Sequence, residues 1–163
     1  MKNYYPLLFT FRDVVSGNGF LSGITLSGRM LMFKEDDGKW WAYGVRPAAI
    51  AASGEIPQEA HFNFKNRYKE VLYDFAQEAA SFESFRNQVE NFYYEPDEEE
   101  ERIWEAAVQA IRSGTLVPEE PFSNLPKQAP ETRPSSISVQ RLDQAITRYA
   151  ATDNVPDLFA TAA

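Results

Sequence analysis

The sequence predicts an α+β protein, an antiparallel four-stranded meander covered by a long helix, with additional C-terminal helices. Two observations carry this prediction. Apolar residues alternate with a period of two through the first part of the chain, which is typical of strands. After residue 57 the period changes to that of a helix, with a stripe at Phe64, Tyr68, Val71, Leu72 and Phe75.

The first strand is predicted from Tyr5, Leu7, Phe9 and Phe11, and Gly17-Asn18-Gly19 follows it as a turn. Phe20 to Leu26 reads as a second strand, interrupted by glycine, and Arg29 to Lys34 and Lys39 to Val45 as the third and fourth. The Asp37-Gly38 pair between the last two favours a hairpin, because glycine accepts the positive φ of such turns. Consecutive strands with short turns predict a meander with one face packed against a helix.

Three helices are predicted after the strands. The first runs from Pro57 to Ala79, with Pro57 in the first turn, where its missing N–H costs nothing. Ser81 caps the second, and Asp97 caps the third, whose acidic first turn suits the positive end of the helix dipole. Phe92-Tyr93-Tyr94 remains open between helix and a short strand.

A change of composition at Gly114 predicts the domain organisation. Residues 1–114 form the core, and residues 115–163 form a proline-rich linker followed by a short amphipathic helix over Ser136 to Ala151. Five of the ten prolines lie between Thr115 and Pro134.

Composition narrows the classes of function. The chain has 163 residues and a net charge of −8, of which −2 falls on residues 1–96 and −6 on residues 97–163. An acidic surface suits a basic protein partner and opposes direct contact with nucleic acid, so nucleic acid is not an expected partner. Without cysteine, without a signal-peptide pattern and without an apolar run of membrane-spanning length, we expect a cytoplasmic protein that makes no membrane contact.

No catalytic or cofactor constellation is predicted. His61 is the only histidine, which favours a surface or boundary position over a metal or general-base role. Helix capping accounts for the acidic run Glu98 to Glu101, which lacks the spacing of a calcium loop. We therefore expect no catalytic residue, no metal and no cofactor.

Four aromatic residues are the candidate partner-binding residues: Trp40, Trp41, Tyr93 and Tyr94. Neighbours in a strand point to opposite faces, so one indole of the tryptophan pair fills the core and the other is covered by the tail or exposed. The tyrosine pair poses the same question. Large exposed aromatics are the usual anchors of protein interfaces, and packing within the chain is the alternative.

Residues 28–75 resemble the N-terminal domain of HicB-type antitoxins. The resemblance rests on the hairpin, on the connector Ala51-Ala52-Ser53-Gly54, and on the helix start made of Gly54, Pro57, Glu59 and Ala60. Ile56 stands where the family usually has a threonine cap. The resemblance implies a non-catalytic protein-binding module that covers a small, basic, toxin-like partner.

Two other interpretations stay open. The HicB core looks like a truncated ribonuclease-H-type sheet, on which a metal-dependent nuclease would need converging carboxylates, and the predicted strand interiors are apolar. An orphan domain that only self-associates is the second. A free first-strand edge together with surplus aromatics favours a homo-oligomer.

Overall fold

The computed structural model describes residues 2–124 and 135–143. The predicted α+β class is confirmed: a curled antiparallel sheet is combined with three helices. In chain order the elements are β1 Tyr5–Gly17, β2 Phe20–Lys34, β3 Trp40–Arg46, β4 Ala51–Gly54, α1 Pro57–Glu78, α2 Phe82–Tyr94, α3 Glu98–Arg112 and β5 Ser136–Arg141, with a short 3₁₀ turn at Phe122–Asn124 before β5.

Strand β2 is the centre of the sheet. All of β1 pairs with one side of β2 through the Asn18-Gly19 turn, where Gly19 has a φ of 81°. The other side of β2 is shared: its first half, Ser22 to Ser27, pairs with β5, and its second half, from Arg29 onward, pairs with β3. Strand β4 continues the sheet beyond β3. The chain therefore builds one sheet from strands that are far apart in its sequence.

The prediction of two separate strands at Phe20 to Leu26 and Arg29 to Lys34 was wrong, because β2 is continuous through Gly28. This glycine serves packing. A β-carbon there would lie against the carbonyl oxygen of Arg46 and 2.7 Å from the ring of Phe9. Its small size lets β3 and the Phe9 ring approach the backbone closely, as interior strand glycines often do.

The segment Ala51–Gly54 is a strand, although it was predicted to be a connector. It pairs antiparallel with β3 from Trp40 to Tyr43. Alanine and serine have low strand propensity, so the residue types of this segment do not predict a strand. Four strands do precede α1, but they are divided differently from the prediction.

The inner face of the sheet, defined by Phe9, Met30 and Ala42, packs against α1 and α2. Helix α1 contacts β1, β3 and β4, so the curled sheet brings its first and last strands to the same helix. Phe64 and Tyr68 meet Phe9 and Phe11 edge-on, with ring centroids 5.3 Å and 5.0 Å apart. Of the predicted stripe, Phe64, Tyr68 and Leu72 are buried, and Val71 and Phe75 are half-buried at the same core.

The outer face of the sheet, defined by Leu8, Leu31 and Val45, packs against α3 through Trp104, Ala107 and Val108. Strand β3 has one extra residue opposite β2 at Val45–Arg46. A bulge of this kind re-aims side chains. Here Val45 joins the apolar contact with α3, while Arg46 pairs with Glu101 at 3.1 Å.

The helix starts follow the predicted chemistry: Pro57 and Glu59 lie in the first turn of α1, and side chains cap α2 and α3. Ser81 accepts the backbone N–H of Ser84, and Asp97 accepts those of Glu99 and Glu100. Ile56 precedes α1 without a side-chain cap. Helix α2 extends through Tyr94, so Phe92-Tyr93-Tyr94 is helical.

The region after residue 114 contributes to the core. Phe122 stacks on Tyr5 with ring centroids 4.3 Å apart, and Val139 of β5 is buried against the inner face. The predicted helix over Ser136 to Ala151 was wrong for Ser136–Arg141, which forms β5. The remainder of that predicted helix, from residue 144, lies outside the described residues. None of the helices in the described ranges combines the length and apolar character needed to cross a membrane.

Candidate functional site

A cluster of exposed carboxylates lies at the junction of α2 and α3. We call Tyr94, Glu95 and Asp97–Glu101 the acidic corner. Glu95, Asp97, Glu98 and Glu99 are exposed, and Glu100 and Glu101 are half-buried. Burial raises the pKa of the Glu100 carboxyl, and the neighbouring charges of Asp97 and Glu99 raise it further. Like charges disfavour the ionisation of their neighbours, so binding of a cation would reduce the repulsion between these carboxylates.

Local structure fixes the backbone of the acidic corner. The Asp97 carboxylate accepts hydrogen bonds from the N–H groups of Glu99 and Glu100, at 3.1 Å and 3.2 Å. These bonds satisfy donors that every helix start leaves unpaired, and acidic residues complement the positive end of the helix. The carboxylates therefore project from a capped, ordered turn.

Two arginines of the sheet hold α3 in place. Arg46 pairs with Glu101, and the Arg29 guanidinium lies 5.6 Å from the centre of the Trp104 ring. Trp104 itself is buried against the outer face. Neither arginine was expected from sequence to have this role, because only the folded register brings them beneath α3.

The two tyrosines at the end of α2 have different surroundings. Tyr93 is fully buried, and its hydroxyl donates to the Ser27 carbonyl at 2.6 Å, next to the point where the pairing of β2 passes from β5 to β3. The Tyr93 ring is thus enclosed by its own chain. Tyr94 is 51% exposed and stands edge-on to Tyr93, with ring centroids 4.9 Å apart. Tyr94 is the member of the pair that faces solvent, beside the carboxylates that follow it in the chain.

The two tryptophans lie on opposite faces of the sheet, as the alternation predicted. Trp40 packs at the inner face beside Tyr5 and Phe122, with ring centroids 6.3 Å and 5.6 Å away. Trp41 is half-buried and stacks on Tyr43, which stacks on Phe33. Among the described residues, no ring contact joins either tryptophan to Tyr93 or Tyr94.

No family model, no curated protein and no solved structure matches this chain. The resemblance to HicB-type antitoxins therefore stays a prediction.

His61 and the carboxylates are the other groups that could take part in acid–base or metal chemistry. His61 is half-buried near the start of α1, where burial and the charge of Lys65 lower the pKa of its imidazole. Within residues 2–124 and 135–143, no three histidine, aspartate or glutamate side chains are grouped so that they could hold a metal ion.

Proposed function

We propose that this chain is a non-catalytic protein-binding module whose acidic corner takes a basic protein partner. One observation supports this most directly: Tyr94 presents an exposed ring beside the carboxylates of a capped helix turn. An aromatic anchor with charged groups around it is the usual composition of an interaction hot spot and its rim.

The chemistry of the acidic corner suits lysine and arginine side chains. An ammonium or guanidinium over the Tyr94 ring would gain a cation–π interaction, while Glu95, Glu98 and Glu99 supply the opposite charge. The whole chain, at −8, would draw such a partner in over distances comparable to the Debye length. Charge therefore speeds encounter, and the aromatic contact sets how long the complex lasts.

The HicB-like interpretation makes the partner more specific. Under it the partner is a small, basic, toxin-like protein that the module covers. The metal-dependent nuclease interpretation receives no favouring observation from the described residues, because their carboxylates do not converge from several elements.

Capture of partners from native lysate, with identification by mass spectrometry, tests the proposal. Immobilised full-length chain should retain basic proteins at low salt and release them at high salt. Tyr94→Ala should weaken binding of a purified captured protein by about tenfold, the loss of a moderate hot spot. The double variant Glu98→Gln/Glu99→Gln should mainly slow association.

Matched controls make this test specific. Val117→Ala removes another exposed apolar side chain, and Glu55→Gln/Glu78→Gln removes the same charge from exposed positions elsewhere. Equal binding by the acidic-corner variants and these controls would exclude the acidic corner. A nuclease assay with magnesium or manganese, run on the same preparation, should show no cleavage of RNA, and cleavage abolished by one carboxylate substitution would replace the proposal.

A further inference from the structure

Among the described residues, strand β1 forms a long open edge of the sheet. In the described part of the chain β1 pairs only with β2, along all of Tyr5–Gly17. Leu21 directs both of its backbone groups toward the β5 side, since its carbonyl accepts the N–H of Leu142 at 2.7 Å and its N–H donates to Asp143. Its partner Ser16 is therefore in a non-hydrogen-bonded pair of the β1–β2 ladder.

Because such pairs alternate along an antiparallel ladder, the even-numbered residues of β1 point their backbone groups away from β2. Val14 agrees with this assignment, since its N–H donates at 2.8 Å to its neighbour's carboxylate, that of Asp13, and not to β2. We call the residues whose N–H and C=O groups point away from β2 the outward positions. They are Pro6, Leu8, Thr10, Arg12, Val14 and Ser16.

Two outward positions cannot donate to an added strand. Pro6 has no N–H, and the Val14 N–H is occupied by Asp13. Between them, Leu8, Thr10 and Arg12 offer both a donor and an acceptor. The open edge therefore has a defined length, with a non-donating residue at each end and Thr10 at its midpoint.

We propose that a second copy of this chain pairs with this edge, β1 against β1, antiparallel and centred on Thr10. In this register Thr10 faces Thr10, Leu8 faces Arg12, and Pro6 faces Val14. All outward N–H and C=O groups of Leu8, Thr10 and Arg12 find a partner, and the two non-donating positions face each other. If the two-fold axis passed through a neighbouring residue instead of Thr10, a carbonyl of Leu8 or Arg12 would lie opposite a position that cannot donate.

The side chains suit this symmetric pairing. A threonine pair directly across two strands is favourable, and setting Arg12 against Leu8 avoids opposing like charges. On the helix side, the Lys69–Asp13 ion pair at 3.3 Å shows which face of α1 borders β1. Phe62 and Tyr73, which are 63% and 39% exposed, share that face at helical spacing from Lys69. The edge is therefore bordered by apolar surface that a second copy would cover.

Self-complementarity argues for a second copy over an unrelated strand. An isologous interface requires one surface to match itself after a two-fold rotation, and the non-donating ends lie symmetrically about Thr10. This inference uses the β1 edge and does not depend on the acidic corner.

Cysteine trapping tests both the association and its register. The chain has no cysteine, so Thr10→Cys introduces a single thiol. In the proposed dimer the two Cα atoms lie about 5.5 Å apart, within disulfide range. Arg12→Cys is the matched control, because the Cα atoms of its two copies would be about 14 Å apart. We expect a covalent dimer from mild oxidation of Thr10→Cys and not of Arg12→Cys.

Light scattering over a wide range of protein concentration tests dimer formation without a covalent crosslink. Thr10→Pro removes one outward donor, at the kind of edge position that tolerates proline, and should shift the chain to a monomer. Ser16→Pro makes the same change beyond the open segment and should leave the dimer intact. Far-ultraviolet circular dichroism checks that both variants fold.

Three results would overturn the inference: a wild-type monomer at all concentrations, equal crosslinking of the two cysteine variants, or a dimer unaffected by Thr10→Pro. Tyr94→Ala should leave the dimer unchanged. Failure at the β1 edge is therefore distinguishable from failure at the acidic corner.

Discussion

At the scale of single residues, the buried hydroxyls of Tyr68 and Tyr93 differ in their hydrogen bonding. Tyr93 donates to Ser27, whereas the Tyr68 hydroxyl has no hydrogen-bond partner among the described residues. A buried polar group without a partner costs free energy, and a satisfied one contributes modestly. The two rings therefore give different expectations for the same chemical change.

Tyr93→Phe should lower the free energy of unfolding by about 0.5–1.5 kcal/mol, the net value of one hydrogen bond. Tyr68→Phe should leave it unchanged or raise it, because the substitution removes an unpaired hydroxyl. Urea unfolding measures both, with Tyr94→Phe as an exposed control. A larger loss for Tyr68→Phe than for Tyr93→Phe would contradict the assignment.

The burial of the Tyr68 hydroxyl also predicts a dependence of stability on pH. Burial raises the pKa of the Tyr68 hydroxyl well above its usual value, and the nearby Tyr93 raises it further. Above a pH of about 10, the unfolded chain releases this proton while the folded chain retains it, so the free energy of unfolding falls as pH rises. Tyr68→Phe should lose less stability than wild type when unfolding is compared at neutral and strongly alkaline pH.

At this scale the sequence predicts that the two tryptophans lie on opposite faces of their strand, but it does not predict which of the two tyrosines is buried. Alternation along a strand places Trp40 and Trp41 on opposite faces whatever the fold around them. The tyrosine pair could not be assigned, because strand and helix were both open there, and burial of Tyr93 depends on a carbonyl of Ser27, far away in sequence.

At the scale of elements, α1 gives the sharpest expectation. The side chain of Leu72 in α1 is fully buried, and that of Tyr73, the next residue, is exposed. Leu72→Ala should cost about 2–5 kcal/mol of stability through the cavity it leaves, while Tyr73→Ala should cost far less. Denaturant unfolding of both variants makes the comparison, and similar losses would show that the stripe is misassigned.

Helices were easier to predict than strands, for a physical reason. The bounds of α1 and α3 follow from long apolar stripes and from residues that start helices, all of which are local signals. Strands β4 and β5 are short and depend on distant partners. Ile137 and Val139 alternate as in a strand, yet Val139 and Leu142 also fit helical spacing, so six residues could not decide the matter.

At the scale of the whole molecule, the core draws on residues beyond the predicted boundary at 114. Phe122 stacks on Tyr5, and β5 pairs with β2 and buries Val139. The composition shift at Gly114 marks a change to a more polar sequence. Composition alone does not predict that a later segment pairs with the sheet.

A chain ending at Gly114 should therefore lose cooperative unfolding or aggregate. Removing β5 takes away the cross-strand neighbours of Ile24 and Leu26 and frees the backbone groups along the first half of one edge of β2. Size-exclusion chromatography and thermal unfolding measure this outcome. In the full chain, Val139→Asp should be strongly destabilising, and Ser138→Asp, on the exposed side of the same strand, should be tolerated. Normal unfolding of the truncated chain would contradict the role given to β5.

The shared edge of β2 also has a consequence for biosynthesis. Leu21 meets Asp143 across 122 positions of sequence. At about 5–20 residues per second, a ribosome needs about 6–24 s to reach β5 after β2 has been made. During that interval the first half of β2 has only the β1 hairpin beside it, so the nascent chain offers a strand edge to chaperones or to neighbouring nascent chains until β5 has been made.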